Sequence, residues 1–460
     1  MSARPMLATP SAEVPIGAAR SAMMAAINRE YALLMLGNRP VVLHEITDAN
    51  GEPDFEIRSV AGFHDWMKPR KIFERDKTLS ASREWIGSED RRQYDGLVFD
   101  PSGNASPNYY NIWRGFSVEP ADADTQVSCK LFLDHLYENV CDGNDSLFSW
   151  IVEWFARIVQ YPADKTGTAL VLRGGQGVGK TIVGRHMGSL YAPHYELVAD
   201  SQRVVGRFNS HLKRCILLHL DEATWGGDHA AAGKLKDLVT GEWHYIEYKG
   251  HEPARLRNYI RLLVTGNNNW LVPAGMDERR FAVLDVAEHK RQDHSYFRAI
   301  DDEMNNGGRE ALLRYLLSVE LGRIPSDIPR TAALAEQQIN SLPREEAWWL
   351  EVLRRGVLPG DFAGNGQTPC QAMHQAYIAH MTQLGNASRI TNSQLGQALS
   401  RMVPDLKKAH PRRAHAGGRA AQVWMYAFPP LAECRKAFAK LVGELFASDD
   451  ESERWEADTP

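Results

Sequence analysis

Gly174-Gly175-Gln176-Gly177-Val178-Gly179-Lys180-Thr181 is the segment that most restricts what this chain can fold into. Its spacing is G-x-x-x-x-G-K-[ST]. Glycines at those positions let the backbone turn its N–H groups inward around a polyphosphate, while the Lys reaches the β/γ oxygens and the Thr hydroxyl ligates Mg²⁺. A loop of this kind needs a buried strand before it and a helix N-terminus after it. Ala169-Leu170-Val171-Leu172 supplies the apolar strand, and Val183, Met187 and Leu190 recur at helical spacing beyond the loop. The chain is thereby directed to an open α/β sheet that binds a nucleoside triphosphate, ATP, with magnesium.

Later segments fill in the pocket. Cys215-Ile216-Leu217-Leu218-His219-Leu220 is a buried-strand run that ends in Asp221-Glu222. At a strand's C-terminal end the Asp is placed to hold the Mg²⁺ shell and the Glu to polarise the attacking water. Ile260-Arg261-Leu262-Leu263-Val264-Thr265 is a third run, followed by Gly266-Asn267-Asn268-Asn269. Asn267 is suited to touch both the γ-phosphate and the water, although Asn-rich stretches also make plain turns. Asp277-Glu278-Arg279-Arg280-Phe281 then precedes the strand Ala282-Val283-Leu284-Asp285-Val286. An Arg here can stabilise charge on a phosphoryl group bound by a neighbouring subunit, or simply join a surface ion-pair cluster.

The candidate catalytic residues are therefore Lys180, Glu222, Asn267, Arg280 and Arg279. The nucleotide-holding set is Gly174, Gly175, Gln176, Gly177, Val178, Gly179, Lys180 and Thr181 with Asp221, and the magnesium ligands are Thr181 and Asp221.

Composition narrows the class further. A chain of 460 residues with 43% hydrophobic content can bury several cores. The net charge of −5 means that any nucleic-acid contact is a local patch or channel rather than a property of the whole surface. The five cysteines are scattered without a C-x-x-C pair, which points to a reducing compartment, with no disulfide framework and no zinc site. With no long apolar run and no apolar signal core, the expectation is a cytoplasmic protein without membrane contact.

Along the chain, residues 1–22 are rich in Ala, Pro and Ser and read as a disordered lead. A small α+β domain is expected over 23–125, with strands at Tyr31–Leu36, Pro40–His44 and Phe55–Ile57 and a hairpin turn at Asn50-Gly51. An apolar stripe through Leu131, Leu136, Val140, Ile151, Phe155 and Ile158 predicts a helical segment over 126–164, suited to an oligomerisation collar. The P-loop domain follows at 165–325 with a mainly parallel sheet, then a helical domain at 340–445 and an acidic, solvated tail at 446–460.

The order of these motifs resembles the superfamily-3 helicases, a AAA+ type, and more narrowly the helicase portion of phage and plasmid primase–helicase proteins. The match rests on Gly174–Thr181 as Walker A, Leu217–Glu222 as Walker B and the run to Thr265–Asn267. Leu235-Lys236-Asp237-Leu238 and Glu247-Tyr248-Lys249-Gly250-His251 resemble the family's additional motif, in which a β-hairpin carries a Lys toward DNA. Val272–Phe281 resembles its arginine-finger segment, which favours Arg280 over Arg279. The resemblance implies a hexameric ring that moves 3′→5′ on single-stranded DNA in phage replication, with ATP hydrolysed between subunits and Lys249 and His251 facing the strand. A Lys repeated around such a ring grips phosphates without reading bases.

The primase module that accompanies many such helicases is not expected in this chain. Asp54-Phe55-Glu56 is the one acidic D-x-E of the N-terminal region and sits in hairpin context, so a primase or polymerase would be a separate partner chain.

In the last region, two helices (Pro369–Leu384 and Thr391–Val403) precede a basic stretch with Lys407, Lys408, Arg412, Arg413 and Arg419 around Gly417-Gly418, then the strand Gln422–Tyr426. This order fits a winged-helix-like module that holds duplex DNA through phosphates, or a basic loop on a helical domain. A competing function for the whole is an ATP-switched initiator or helicase loader that does not separate strands. A P-loop kinase is disfavoured, because paired Asp221-Glu222 suits water activation and nothing resembles a lid domain.

Overall fold

A computed structural model describes residues 18–48, 51, 53–74, 77–199, 204, 209–222, 229–247, 254–275, 277–322, 327–385, 390–409, 412–413, 421–442 and 452–459. The chain divides into two compact units, Met1–Leu271 with Ala282–Pro329, and Val272–Phe281 with Arg330–Pro460. The N-terminal α+β region and the P-loop region thus belong to one unit. The arginine-rich segment Val272–Phe281, expected within the P-loop domain, instead clusters with the C-terminal helices. Its Val272 N–H donates to Gln337 Oε1 at 3.2 Å, and the Gly275 carbonyl accepts from Gln338 Nε2 at 3.0 Å.

The first unit opens with a helix, Ala18–Glu30, that begins inside the segment expected to be disordered. Burial of Met24 and Ile27 against Tyr31, Phe63 and Trp85 accounts for its order. Strands β1 (Tyr31–Leu36), β2 (Arg39–Thr47) and β3 (Pro53–Ser59) pair antiparallel, at the places where strands are expected from Tyr31–Leu36, Pro40–His44 and Phe55–Ile57. Gly51 takes φ +86 between β2 and β3, while Asn50 lies outside the described residues. A hairpin, β4 (Lys71–Glu74) with β5 (Lys77–Ser80), and the short strands β6 (Gln93–Tyr94), β7 (Gly96–Val98) and β8 (Tyr109–Asn111) complete this region.

The helical stretch at 126–164 resolves into Lys130–Asp134, a π-helical turn His135–Val140, and Asp145–Gln160. The central sheet follows: β9 (Ala169–Arg173), β10 (Tyr195–Val198), β11 (Leu217–Asp221), a separate hairpin of β12 (Trp243–Ile246) and β13 (Ala254–Arg257), then β14 (Arg261–Gly266) and β15 (Phe281–Asp285). Its order is β10-β11-β14-β9-β15, with β10, β11, β14 and β9 parallel. Strands covered on both faces read as unbroken apolar runs, and β9 and β14 are buried at every position. Because β14 lies between β9 and β11, the loop after β9 and the carboxylates at the end of β11 flank one strand end, where open α/β sheets bind ligands.

The C-terminal unit packs helices Arg344–Arg355, Cys370–Gln383, Asn392–Met402 and Leu431–Val442 on a sheet of β16 (Gln367–Pro369), β17 (Lys407–Ala409) and β20 (Met425–Ala427), with a short pair β18 (Arg412–Arg413) and β19 (Ala421–Gln422) between the last two. The predicted strand Gln422–Tyr426 is split, since Val423 and Trp424 join neither β19 nor β20. The acidic end is not a free solvated tail over 452–459. Trp455 is buried with Trp349 and Phe428, its Nε1–H donates to the Pro429 carbonyl at 2.8 Å, and Asp458 Oδ2 accepts from the Gly360 N–H at 2.7 Å. One buried indole outweighs the charge pattern that suggested disorder.

His194 shows how tightly the first unit is fixed. It is fully buried and stacks on Trp113 with ring centroids 4.3 Å apart. Its Nε2 accepts from the Arg114 N–H at 3.0 Å, so Nδ1 carries the proton donated to the Arg214 carbonyl at 2.9 Å. Protonation would set N–H against N–H, and burial holds the imidazole down to a pKa of about 3. The unfolded chain therefore binds more protons between about pH 3 and about pH 6.5. Stability from this site is complete above that window and is lost as pH falls through it. Denaturant melts should show the pH slope of His194→Phe reduced by up to one proton, about 1.4 kcal/mol per pH unit, relative to the parent; an unchanged slope would show that His194 does not titrate this way.

Candidate active site

Gly174–Thr181 follows β9, and the helix Lys180–Gly188 starts on the motif lysine. Gly179 takes φ +94, and a Cβ there would stand 2.6 Å from both His135 Cε1 and Phe297 Cε1, so only glycine fits. The loop is also held from behind. His135 Nε2 bonds the Gly179 carbonyl at 3.1 Å, and Asn139 Nδ2 donates to the Val178 carbonyl at 2.8 Å. With those carbonyls occupied by the π-helical turn, the loop's shape is fixed before a ligand arrives. Desolvation lowers the His135 pKa to about 4, which keeps the ring neutral and able to serve as a plain hydrogen-bond partner.

A cavity of about 520 Å³ lies over the loop, lined by Gln176, Gly177, Gly179, Lys180, Thr181, Ile182, Arg185, Asp221, Glu222, Gln292, His294, Phe297 and Asp301. Lys180 Nζ donates to the Gly174 and Gly175 carbonyls at 2.8 and 2.7 Å. Burial lowers its pKa, against the opposing pull of Glu222 and Asp221, so an incoming polyanion would meet a desolvated ammonium. Thr181 Oγ1 lies 3.2 and 3.1 Å from the two Asp221 oxygens. A hydroxyl beside a carboxylate is a donor pair of the hard-oxygen kind that Mg²⁺ takes.

Asp221 is in turn set by a buried chain of polar side chains. Thr265 Oγ1 donates to Asp221 Oδ1 at 2.5 Å, His219 Nε2 lies 2.8 Å from Thr265 Oγ1, and Tyr195 OH lies 2.8 Å from His219 Nδ1. An ionised carboxylate only accepts, so the Thr265 proton points to Asp221. His219 must then donate through Nε2–H and accept the Tyr195 proton at Nδ1. Every donor in the chain points one way, toward Asp221. Gly184 and Gly188 make room for it: a Cβ at the first would meet His219 Nδ1 at 2.3 Å, and one at the second would meet the Tyr195 ring at 2.3 Å.

Glu222 is exposed at the cavity edge with φ +57, and its N–H donates to the Thr265 carbonyl at 2.8 Å. A left-handed backbone at a non-glycine residue costs about 1–2 kcal/mol, and such strain gathers at functional positions. It turns Glu222 out of line with β11 and onto the cavity.

The remaining expected residues are more dispersed. Asn267 is exposed in the turn after β14 and is not among the residues lining the cavity; Thr265 is the side chain of that strand that touches Asp221. Arg279 is exposed and Arg280 half-buried. They sit on a turn organised by the buried Glu278, whose Oε1 accepts from the N–H groups of Arg279 and Arg280 at 3.0 and 2.7 Å. Arg280 Nη1 stands 3.7 Å from the same oxygen. Lys407 and Lys408 are exposed, with Lys408 Nζ 5.0 Å from the Trp424 ring centroid, and Arg412 and Arg413 form β18. Lys249, His251 and Arg419 lie outside the described residues.

The sequence reading did not single out His135, Asn139, Tyr195, His219 or Thr265. His219 carried a usable signal, a polar side chain inside an apolar strand run two residues before Asp221. His135 and Asn139 carried none, since their partners lie far along the chain.

A family model described as a family of unknown function (DUF5906) matches residues 172–280, from β9 to Arg280. The DNA Primase-polymerase of Nitratiruptor phage NrS-1 is 23% identical over 222 residues, which cover 47% of this chain and 30% of that protein. The A form apo structure of the NrS-1 C-terminal region superposes with a TM-score of 0.57 at 15% identity, over 88% of this chain and 99% of that one. A second apo structure of the same region gives 0.57 at 15% identity, over 91% and 100%. This chain thus shares the fold of the NrS-1 C-terminal region and spans less than a third of the full curated relative it matches.

Proposed function

We propose that this chain is an ATP-hydrolysing motor of phage DNA replication, built on a AAA+ core of superfamily-3 type and acting as a ring, a hexamer by its motif pattern, on single-stranded DNA in the host cytoplasm. The observation that carries the reading is the convergence of Lys180, Thr181, Asp221 and Glu222 on one cavity at the ends of β9 and β11, the parallel strands on either side of β14. The similarity to a phage DNA primase-polymerase supports the setting. Among the described residues no helix is long and apolar enough to cross a membrane.

In this reading Lys180 and the loop amides bind the triphosphate, while Thr181 and Asp221 hold Mg²⁺. The metal, when bound, screens the phosphate charge. Glu222 orients the attacking water and takes its proton, with Asn267 reporting on the γ-phosphate. Arg280, or Arg279 beside it, acts on the nucleotide of the adjacent subunit. Tyr195, His219 and Thr265 position Asp221 without touching substrate. The C-terminal unit, with its three-stranded antiparallel sheet and the helix Asn392–Met402, suits duplex DNA, with Lys407 and Lys408 on phosphates.

Lys180→Ala should bring ATP hydrolysis to background. Arg280→Ala should keep nucleotide affinity while losing about 10³-fold or more in turnover, and hydrolysis at the parental rate by Arg280→Ala would exclude the shared-pocket mechanism. Tyr195→Phe removes one hydroxyl from the chain of donors that orients Asp221. It should raise the Mg²⁺ concentration for half-maximal hydrolysis several-fold and leave metal-free nucleotide affinity unchanged; equal effects on both would mark Tyr195 as a packing residue only.

A further inference from the structure

The hairpin of β12 and β13 distributes its side chains in an unusual way. Register pairs Trp243 with Arg257 and Tyr245 with Arg255, so these four share one face, while His244, Ile246 and Leu256 share the other. The inner face is packed, with Ile246 and Leu256 at 0% and 3% exposure. The outer face leaves Trp243 41% and Tyr245 62% exposed. Arg255 Cζ lies 4.2 Å from the Trp243 ring centroid and Arg257 Cζ 5.8 Å from it. Neither strand contains a carboxylate.

The stem is anchored at both ends. Asn209 donates to the Tyr245 carbonyl at 2.9 Å and accepts from the Glu247 N–H at 3.0 Å. Asn258 Nδ2 donates to the Leu238 and Gly241 carbonyls at 3.0 Å each. A rigid ribbon that turns two large rings and two guanidinium groups outward, without an acid among them, matches a polyanion that also offers π-faces.

We propose that Trp243, Tyr245, Arg255 and Arg257 form a base-stacking platform for single-stranded nucleic acid. The inference rests on the reading that the chain works on single strands, and it adds base contacts on the described stem to the phosphate contact expected of the hairpin tip. Residues two apart on a strand are about 6.8 Å apart, twice the ~3.4 Å step of a stacked polynucleotide strand. Successive bases therefore meet the two rings only when the strand is drawn out and unstacked. A duplex, whose bases already stack on each other, offers the rings nothing.

The full-length protein can be titrated against a labelled oligo-dT and against an abasic deoxyribose-phosphate oligomer of equal length. The parent should prefer oligo-dT. Trp243→Ala with Tyr245→Ala should weaken oligo-dT binding about tenfold or more, leaving abasic binding and DNA-free ATP hydrolysis as they were. Trp243→Phe should retain most of the affinity. Arg255→Ala with Arg257→Ala should reduce the salt slope by about 0.7 per lost phosphate contact. Equal binding of both oligomers by the parent, or unchanged oligo-dT affinity in the ring variants, overturns the platform. Ring variants that alter sedimentation rather than affinity assign the face to a contact between copies and overturn it too. A parent that binds oligo-dT through these rings yet does not hydrolyse ATP keeps this inference and loses the motor reading. Arg280-dependent hydrolysis with unaffected ring variants does the reverse.

Discussion

The site depends on how closely the helix Lys180–Gly188 lies on the sheet. Gly184 and Gly188 are the two positions where a side chain would collide with His219 and Tyr195, and both present only a hydrogen. That gap brings Thr181 within 3.2 Å of Asp221, across from β11. With larger residues at 184 and 188 the helix would stand off, and Thr181 and Asp221 would separate with no change in either residue. Overpacking in a tight interior typically costs 1–3 kcal/mol, so the same contact that shapes the site also makes it intolerant.

Filling the gap with polar side chains is energetically demanding, because an unpaired buried donor or acceptor costs about 1–3 kcal/mol. Here each ring nitrogen of His219 has a partner, and desolvation keeps the ring neutral with a pKa of about 4. A neutral, fully bonded ring can sit beneath a carboxylate without adding a positive charge beside it. His135 solves the same problem on the other side of the loop. Both histidines give direction rather than charge.

Much of this fold was legible in the sequence, and the rest was hidden for identifiable reasons. The strands β9, β11 and β14 announced themselves as mostly apolar runs, because parallel strands buried on both faces leave no alternation to confuse. Lys180, Thr181, Asp221 and Glu222 were readable from spacing to a strand end. His135 and Asn139 were not, since the stripe that marks their segment as helical is made by its apolar neighbours, and their hydrogen bonds to Gly179 and Val178 span 44 and 39 residues of sequence. The tail misled in the opposite direction: its carboxylates dominate the composition, but the buried Trp455 and the hydrogen bonds around it fix residues 452–459. Composition reports an average, whereas a single large ring in a closed core decides one segment's fate.

The charge distribution follows the same logic of local placement. The chain carries −5 overall, yet the cations that matter stand apart from that average. Lys180 is buried under the loop, and Arg255 and Arg257 lie on strands without a carboxylate. Lys407 and Lys408 are exposed on β17. Much of the excess negative charge is instead concentrated in the C-terminal sequence after Ser448, and within 452–459 Asp458 accepts a backbone N–H and the indole of Trp455 is buried. In sequence these acids stand apart from the strands that carry Arg255, Arg257, Lys407 and Lys408. A protein can therefore be anionic in sum and still offer phosphate-binding surfaces, provided that its acids are collected on segments of their own.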